Sequence, residues 1–436
     1  MKVLIVSLNF APELTGIGKY SGEMADGLVA RGHDVTVVCA PPYYPAWKVE
    51  DGYAAGGYST ERPSPRLTIH RCPVWIPTRL NGVSRLLHLA SFALSSLPIL
   101  LWLVLWQPRI VFTVAPALFC APGAWLTARL AGAKAWLHVQ DFEIDAAFEL
   151  GLLKHPFLRR CALFAEQRLL KRFDVVSTIS RRMLRQLAAK GVPLQRTDML
   201  PNWVDLSLVR PVDRSPALRK SLGIADSQLV CLFSGTVNRK QGLHILIESA
   251  RRLAGDRDLV FVICGTGELR PALEASAQDL ANVRFLDLQP AAELNAMLNM
   301  ADIHVLPQLR GAADLVMPSK LVGMLASGRP VVAATTPGTE ISNVVTGCGV
   351  VTEPECVDGL ARTLVELAGD AERRQRLGAA ARSYAERMLD ANVIFDRLDA
   401  RLQLLEREVF GRATTAPAVR ESAAAAGALG PVELKQ

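Results

Sequence analysis

Apolar runs of four to seven residues recur along the chain, most of them followed by a polar turn and then by apolar residues at helical spacing. Residues 2–8 read as a buried strand, 9–19 as a turn-rich loop, 20–31 as a helix and 35–40 as a second strand. Strand, loop, helix, strand opens a doubly wound parallel sheet, because a crossover helix lets the next strand pair parallel to the last. Strands follow at 67–75, 110–114, 135–139 and 174–179, with helices near 119–130, 157–171 and from Ser180. Residues 43–66 hold Pro, Gly and Tyr without periodicity and read as a long ordered loop. A polar stretch at 206–221 reads as a linker. The alternation then restarts, with strands at 229–233, 259–264, 283–286, 303–306, 331–334 and 349–352. Helices near 355–368, 371–388 and 393–411 follow. The pattern predicts an α/β protein of two doubly wound domains, 1–210 and 211–392, facing each other across a cleft. A helix over 393–412 crosses back to brace the first domain, and 413–436 forms a disordered tail.

One segment breaks the pattern. Leu86 to Trp106 carries no formal charge over 21 residues, long enough to span a bilayer, with Pro98 interrupting it. Ser91, Ser95 and Ser96 and the buried strand that follows argue against a span. The reading favoured is a crossover helix in the bilayer interface with Arg79 and Arg85 at the headgroups, over an ordinary core helix or a span.

Hydrophobic residues make up 50% of the chain and charged ones 21%, which excludes a largely disordered protein. The net charge of +7 suits anionic small molecules or an acidic membrane face, and no nucleic-acid partner is expected. Between Lys154 and Lys190 ten basic residues face two acidic ones, a solvated surface or a face toward acidic lipid. The eight cysteines are scattered through apolar runs with no CxxC spacing, the usage of a reduced cytosolic protein. The opening MKVLIV lacks the length and cleavage site of a signal peptide. A cytoplasmic location, peripheral on the inner membrane face, is expected.

The candidate chemistry lies in the loops after the strands. Gly16 and Gly18 would let backbone amides approach a ligand, although GIG is not the full dinucleotide fingerprint. In the second half, Ser234 to Gly242 brings Arg239 and Lys240 to the start of a helix, and Gly265 and Gly267 follow the next strand. Pro318, Ser319 and Lys320 open a helix whose N-terminal amides and lysine suit a diphosphate, with Leu321, Met324 and Leu325 on its apolar face. These loops share one sheet edge and converge on one crevice. No Walker loop, GxSxG elbow, HExxH or complete GxGxxG is present, which weighs against an ATPase, an α/β hydrolase, a zincin or a dehydrogenase. Without clustered histidines or cysteines, no metal or other cofactor is expected.

Seven strings carry a resemblance: NFAPELTGIGKYSGEM (9–24), APPYYPAW (40–47), LHVQDFEIDA (137–146), STISR (177–181), PNW (201–203), FSGTVNRKQGL (233–243) and GAADLVMPSKLVGMLASG (311–328). In this order they resemble the GT-B nucleotide-sugar glycosyltransferases of the retaining family four type, over the chain to about residue 410. The resemblance implies two Rossmann-like domains, a nucleotide-sugar donor, a lipid-linked oligosaccharide acceptor and transfer without a metal. It implies that Gly16 and Gly18 approach the donor, that Asp141 lies near the transfer point, and that Arg239, Lys240 and Lys320 hold the diphosphate beside Ser319. The family's paired glutamates would fall at Leu315 and Gly323, leaving Asp314 as the nearest carboxylate. Its usual lysine falls at Gln241, and its histidine before the aspartate at Gln140. The other readings are a nucleotide-sugar epimerase on the same architecture and a non-catalytic binding subunit.

Overall fold

The computed structural model describes residues 1–13, 16–79, 81–115, 118–142, 156–255, 258–310 and 319–410. The first sheet holds β1 (Lys2–Ser7), β2 (Asp34–Cys39), β3 (Ser59–Ser64), β4 (Leu67–Arg71), β5 (Ile110–Ala115), β6 (Lys134–Val139), β7 (Val175–Thr178) and β8 (Thr197–Met199). Their order across the sheet is β3-β4-β2-β1-β5-β6-β7-β8, parallel except where the edge strand β3 runs against β4. The second sheet holds β9 (Leu229–Ser234), β10 (Leu259–Cys264), β11 (Val283–Leu286), β12 (Ile303–Pro307), β13 (Val331–Ala334) and β14 (Gly349–Thr352). Its order is β11-β10-β9-β12-β13-β14, parallel throughout. The strands buried on both faces read as unbroken apolar runs, which is why they stood out in the sequence.

Strand β3 corrects the reading of 43–66 as loop. Its sequence STERPS is polar and half exposed, so it has no apolar signature, and its pairing with β4 defines it. Strand β8 is likewise short and only partly buried. The first helix corrects another expectation: it spans Gly16–Ala30, so Gly16 and Gly18 sit in its opening turn and not in the loop. Part of the linker is helical too, at Pro216–Ser221, pinned by the buried Arg219 to Asp302 and to the carbonyl of Ala225. Pro98 does not interrupt the apolar segment: the helix runs Gly82–Trp102 and tightens into a 3₁₀ turn over Leu103–Trp106.

The helix Ala391–Phe410 crosses back to the first sheet. Ile394, Phe395, Leu398, Leu402 and Leu405 join the core formed by β1, β2 and the helix Gly16–Ala30. Gly27 makes room for it, since a Cβ there would lie 2.6 Å from the Phe395 ring. All eight cysteines are thiols; six are buried and Cys161 is exposed.

Candidate active site

Each sheet has a point where the strand order reverses, between β1 and β5 in the first and between β9 and β12 in the second. The loops leaving such a pair diverge to opposite faces and open a crevice at the carboxyl edge. In the second domain that crevice joins glycine backbone to the Lys320 side chain. Gly235, at φ +142°, follows β9, and a Cβ there would lie 2.9 Å from both Cε and Nζ of Lys320. Gly265 packs so closely that its Cβ would fall 2.0 Å from the Gly235 carbonyl oxygen. A side chain at Gly265 would have to displace the loop after β9, and one at Gly235 would push the Lys320 ammonium aside. For Gly265, and for Gly267 against the Val237 carbonyl, the structure shows loop-on-loop packing as the reason for glycine.

Lys320 lies in the first turn of the helix Ser319–Ala326, whose Leu321, Met324 and Leu325 are fully buried and fix its axis. Its ammonium donates to Gln241 Oε1 at 2.7 Å and stands 4.3 Å from the centroid of the Phe233 ring. Burial of the amine lowers its pKa to about 7, because little water reaches it to stabilise the charge. Gln241 ends the 3₁₀ turn Arg239–Gln241, which Gly242 closes in the left-handed conformation. The structure thus brings Lys320 to the same short turn as Arg239. Arg239 itself lines a hollow of about 430 Å³ with Leu243, His244, Leu269, Leu273 and Leu309. Ser319 is exposed at the helix start. The side chain of Lys240 and all of Asp314 lie outside the described residues.

In the first domain the space beside Gly18 is taken by Glu13, which the sequence reading passed over. A Cβ on Gly18 would lie 2.4 Å from Glu13 Oε2. Glu13 is 3% exposed, and its Oε1 accepts from the Tyr43 and Tyr44 amides at 3.1 and 3.0 Å and from Asn9 Nδ2 at 3.3 Å. Its Oε2 is buried with no hydrogen-bond partner among the described residues. Burial raises the carboxyl pKa against the lowering effect of those donors. The hint in the sequence was an acidic residue three positions before Gly16. Gly16, at φ +60°, opens the helix with Tyr44 as its nearest neighbour.

Asp141 follows the buried Gln140 at the carboxyl end of β6. His138 on that strand bonds to Ser177 at 2.9 Å, and burial lowers its pKa to about 3, so it stays neutral within the sheet. The two carboxyl edges face each other. The backbone amides of Arg181 and Arg182, after β7, donate at 3.4 and 3.3 Å to the Glu340 carboxylate, after β13.

Residues 15–203 match the model of the glycosyl transferase 4-like domain, and residues 214–384 that of the glycosyl transferases group 1. The chain is 41% identical over 400 residues to WcaI of Escherichia coli K12, named as a glycosyl transferase of colanic acid biosynthesis. That match covers 89% of this chain and 97% of WcaI. It is 28% identical over 397 residues to a GDP-mannose-dependent alpha-(1-6)-phosphatidylinositol monomannoside mannosyltransferase of Mycobacterium tuberculosis, covering 88% and 93% of the two chains. Among solved structures, HepE of Anabaena in complex with UDP-glucose superposes with a TM-score of 0.65 at 16% identity, over 93% of this chain and all of HepE. At that identity the likeness is one of fold.

Proposed function

We propose that this chain, which belongs to the glycosyl transferase group 1 family and carries a 4-like first domain, moves a sugar from a nucleoside diphosphate to a lipid-linked saccharide in exopolysaccharide assembly, with retention at the anomeric carbon. The observation that carries the reading is the Lys320 ammonium, withdrawn from water at the switch point of the second sheet and bonded to Gln241 in the loop after β9. When a nucleoside diphosphate leaves, negative charge grows on its phosphate oxygens. Lys320, Arg239 and the amides opening the helix Ser319–Ala326 stabilise that charge more in the transition state than in the bound donor. Lys320 replaces by position what the chain lacks at Gln241: the cation arrives from the neighbouring helix and bonds to the glutamine side chain. The leaving phosphate receives the acceptor's proton, so no enzyme nucleophile and no metal is assigned a step. Asp141 is assigned to the acceptor side of the transferred sugar, and Gly16, Gly18, Gly265 and Gly267 to shaping the loops around the donor.

The similarity to WcaI supports an exopolysaccharide product, and the mannosyltransferase supports a donor carried on GDP, for which GDP-fucose is the first to test. HepE supports the wider class of nucleoside diphosphate sugars. The experiment is transfer from a donor panel to membrane-extracted lipid acceptors, with and without chelator. Product should form from one donor, unaffected by chelator. Lys320→Ala should lower kcat by about 10²–10³. Unchanged turnover in that variant would remove the diphosphate site.

A further inference from the structure

The helix Gly82–Trp102 and its 3₁₀ extension bury Phe92, Leu100 and Leu103 together with Ser84, His88 and Ser96, yet they are apolar on the outside too, unlike a helix on a water-facing surface. Toward the protein, His88 bonds to the Trp75 carbonyl at 2.7 Å and to the Tyr43 hydroxyl at 2.9 Å. Ser91 accepts from the Trp75 amide, and Ser95 donates to the Pro73 carbonyl. Toward the outside, Val83, Leu87, Leu94, Leu101 and Leu105 repeat at intervals of four or seven residues, with Leu94 72% and Leu105 80% exposed. The helix is long and apolar enough to cross a bilayer, yet its inward polar groups are already bonded to the domain, which holds it flat along the surface.

The neighbouring surface continues the character. Connections β4 to β5, β5 to β6 and β6 to β7 each run the same way across the sheet, so right-handed crossovers set Gly82–Trp102, Ala121–Ala131 and Pro156–Leu170 on one face. Of the 21 large hydrophobic side chains exposed among the described residues, 13 lie between Trp75 and Phe164, in these helices and the turns leading to them. Interleaved with them are exposed arginines at 79, 85, 129, 160 and 168. An apolar stripe rimmed by cations is complementary to one partner, a bilayer surface bearing anionic headgroups.

We infer that this face seats the first domain in the membrane, with the helix Gly82–Trp102 lying in the plane of the bilayer at the depth of the upper acyl chains. The inference rests on the transfer reading only for its purpose, bringing the domain to a lipid-linked acceptor. A chain that docks but transfers nothing would sink that reading and leave this one standing.

The test is flotation of the full chain, without donor or acceptor, with vesicles of phosphatidylcholine alone or with added phosphatidylglycerol. Flotation with the anionic vesicles is expected, and it should persist at high salt because apolar insertion is not screened. Leu94→Glu and Leu105→Glu should each lower the partition coefficient about tenfold or more. Binding of GDP should stay at the parent value, showing that both variants fold. Trp102 emission should shift to the blue with vesicles, a shift absent in Trp102→Phe. Flotation of either glutamate variant at the parent level would overturn the inference. So would resistance to alkaline carbonate extraction, which would make the segment a span. A dimer in solution that Leu94→Glu dissociates, with no flotation of the parent, would assign the stripe to a second copy.

Discussion

At the residue scale, burial moves the pKa of the Lys320 amine and of the Glu13 carboxyl. Lys320 has a lowered pKa because its ammonium is withdrawn from water, with Gln241 Oε1 and the Phe233 ring beside it among the described residues. A diphosphate seated there favours the charged form, so binding should draw a proton onto the lysine near pH 8. Affinity for GDP should be flat below about pH 7 and fall as pH rises above it. Calorimetry in buffers of different ionisation heat reads the proton uptake directly, and Lys320→Gln should abolish it. For folding the sign is opposite to that of a salt-bridged lysine: with the folded pKa below the unfolded value, this group's contribution rises with pH from about 7 to the ordinary lysine range. Glu13 is the second case. Its Oε1 ties the Tyr43–Tyr44 backbone to the glycine loop. Glu13→Ala leaves two buried amides without that acceptor and should cost about 1–3 kcal/mol. The measurement is urea denaturation, set beside the Michaelis constant for donor. A change in neither would show that the loops hold without it.

At the scale of elements, the C-terminal helix is a strut across the first domain. Phe395 stacks edge-on against Trp203 at 4.8 Å between centroids, and Trp203 in turn against Tyr20 at 5.1 Å. Trp203 Nε1 donates to Glu23 at 2.8 Å, and Arg31 and His33 reach Asp396 and Asp399. Phe395→Ala should therefore destabilise by about 3–5 kcal/mol. The readout is tryptophan fluorescence in denaturant, where Trp203 reports the region; a midpoint within error of the parent would show the helix to be an ornament. Element identity was largely legible in the sequence wherever strands are buried on both faces. It failed at β3, whose side chains face water, and at the start of the first helix, where glycines mask a helical turn that tertiary packing enforces.

For the whole molecule, the contact between Glu340 and the helix Arg181–Ala189 is an ion placed by one domain at the helix N-terminus of the other. That end carries a partial positive charge and unpaired amides. Ser180 already accepts from the Met183 amide, and Glu340 accepts from the Arg181 and Arg182 amides beside it. Glu340→Ala should shift the equilibrium toward a wider cleft by about two- to fivefold. Solution X-ray scattering should then show a broader distance distribution, narrowed again by GDP; a distribution identical to the parent's would place the hold on closure elsewhere. Nothing local in the sequence marked this pair, because 158 residues separate Arg182 from Glu340.

The sequence by itself determined the two parallel sheets, the loops that hold the site and the residue types available there. Those are local consequences: apolar runs that must be buried, glycines that relax the backbone, a serine and a proline that start a helix. Only the tertiary structure decided which groups meet. Switch points in strand order bring Lys320 to Gln241, packing of the first two loops brings Glu13 to the Tyr43 and Tyr44 amides, and right-handed crossovers gather the apolar stripe on one face. Such meetings depend on strand order and on the order of burial across the whole chain, and neither is written in any short stretch of it.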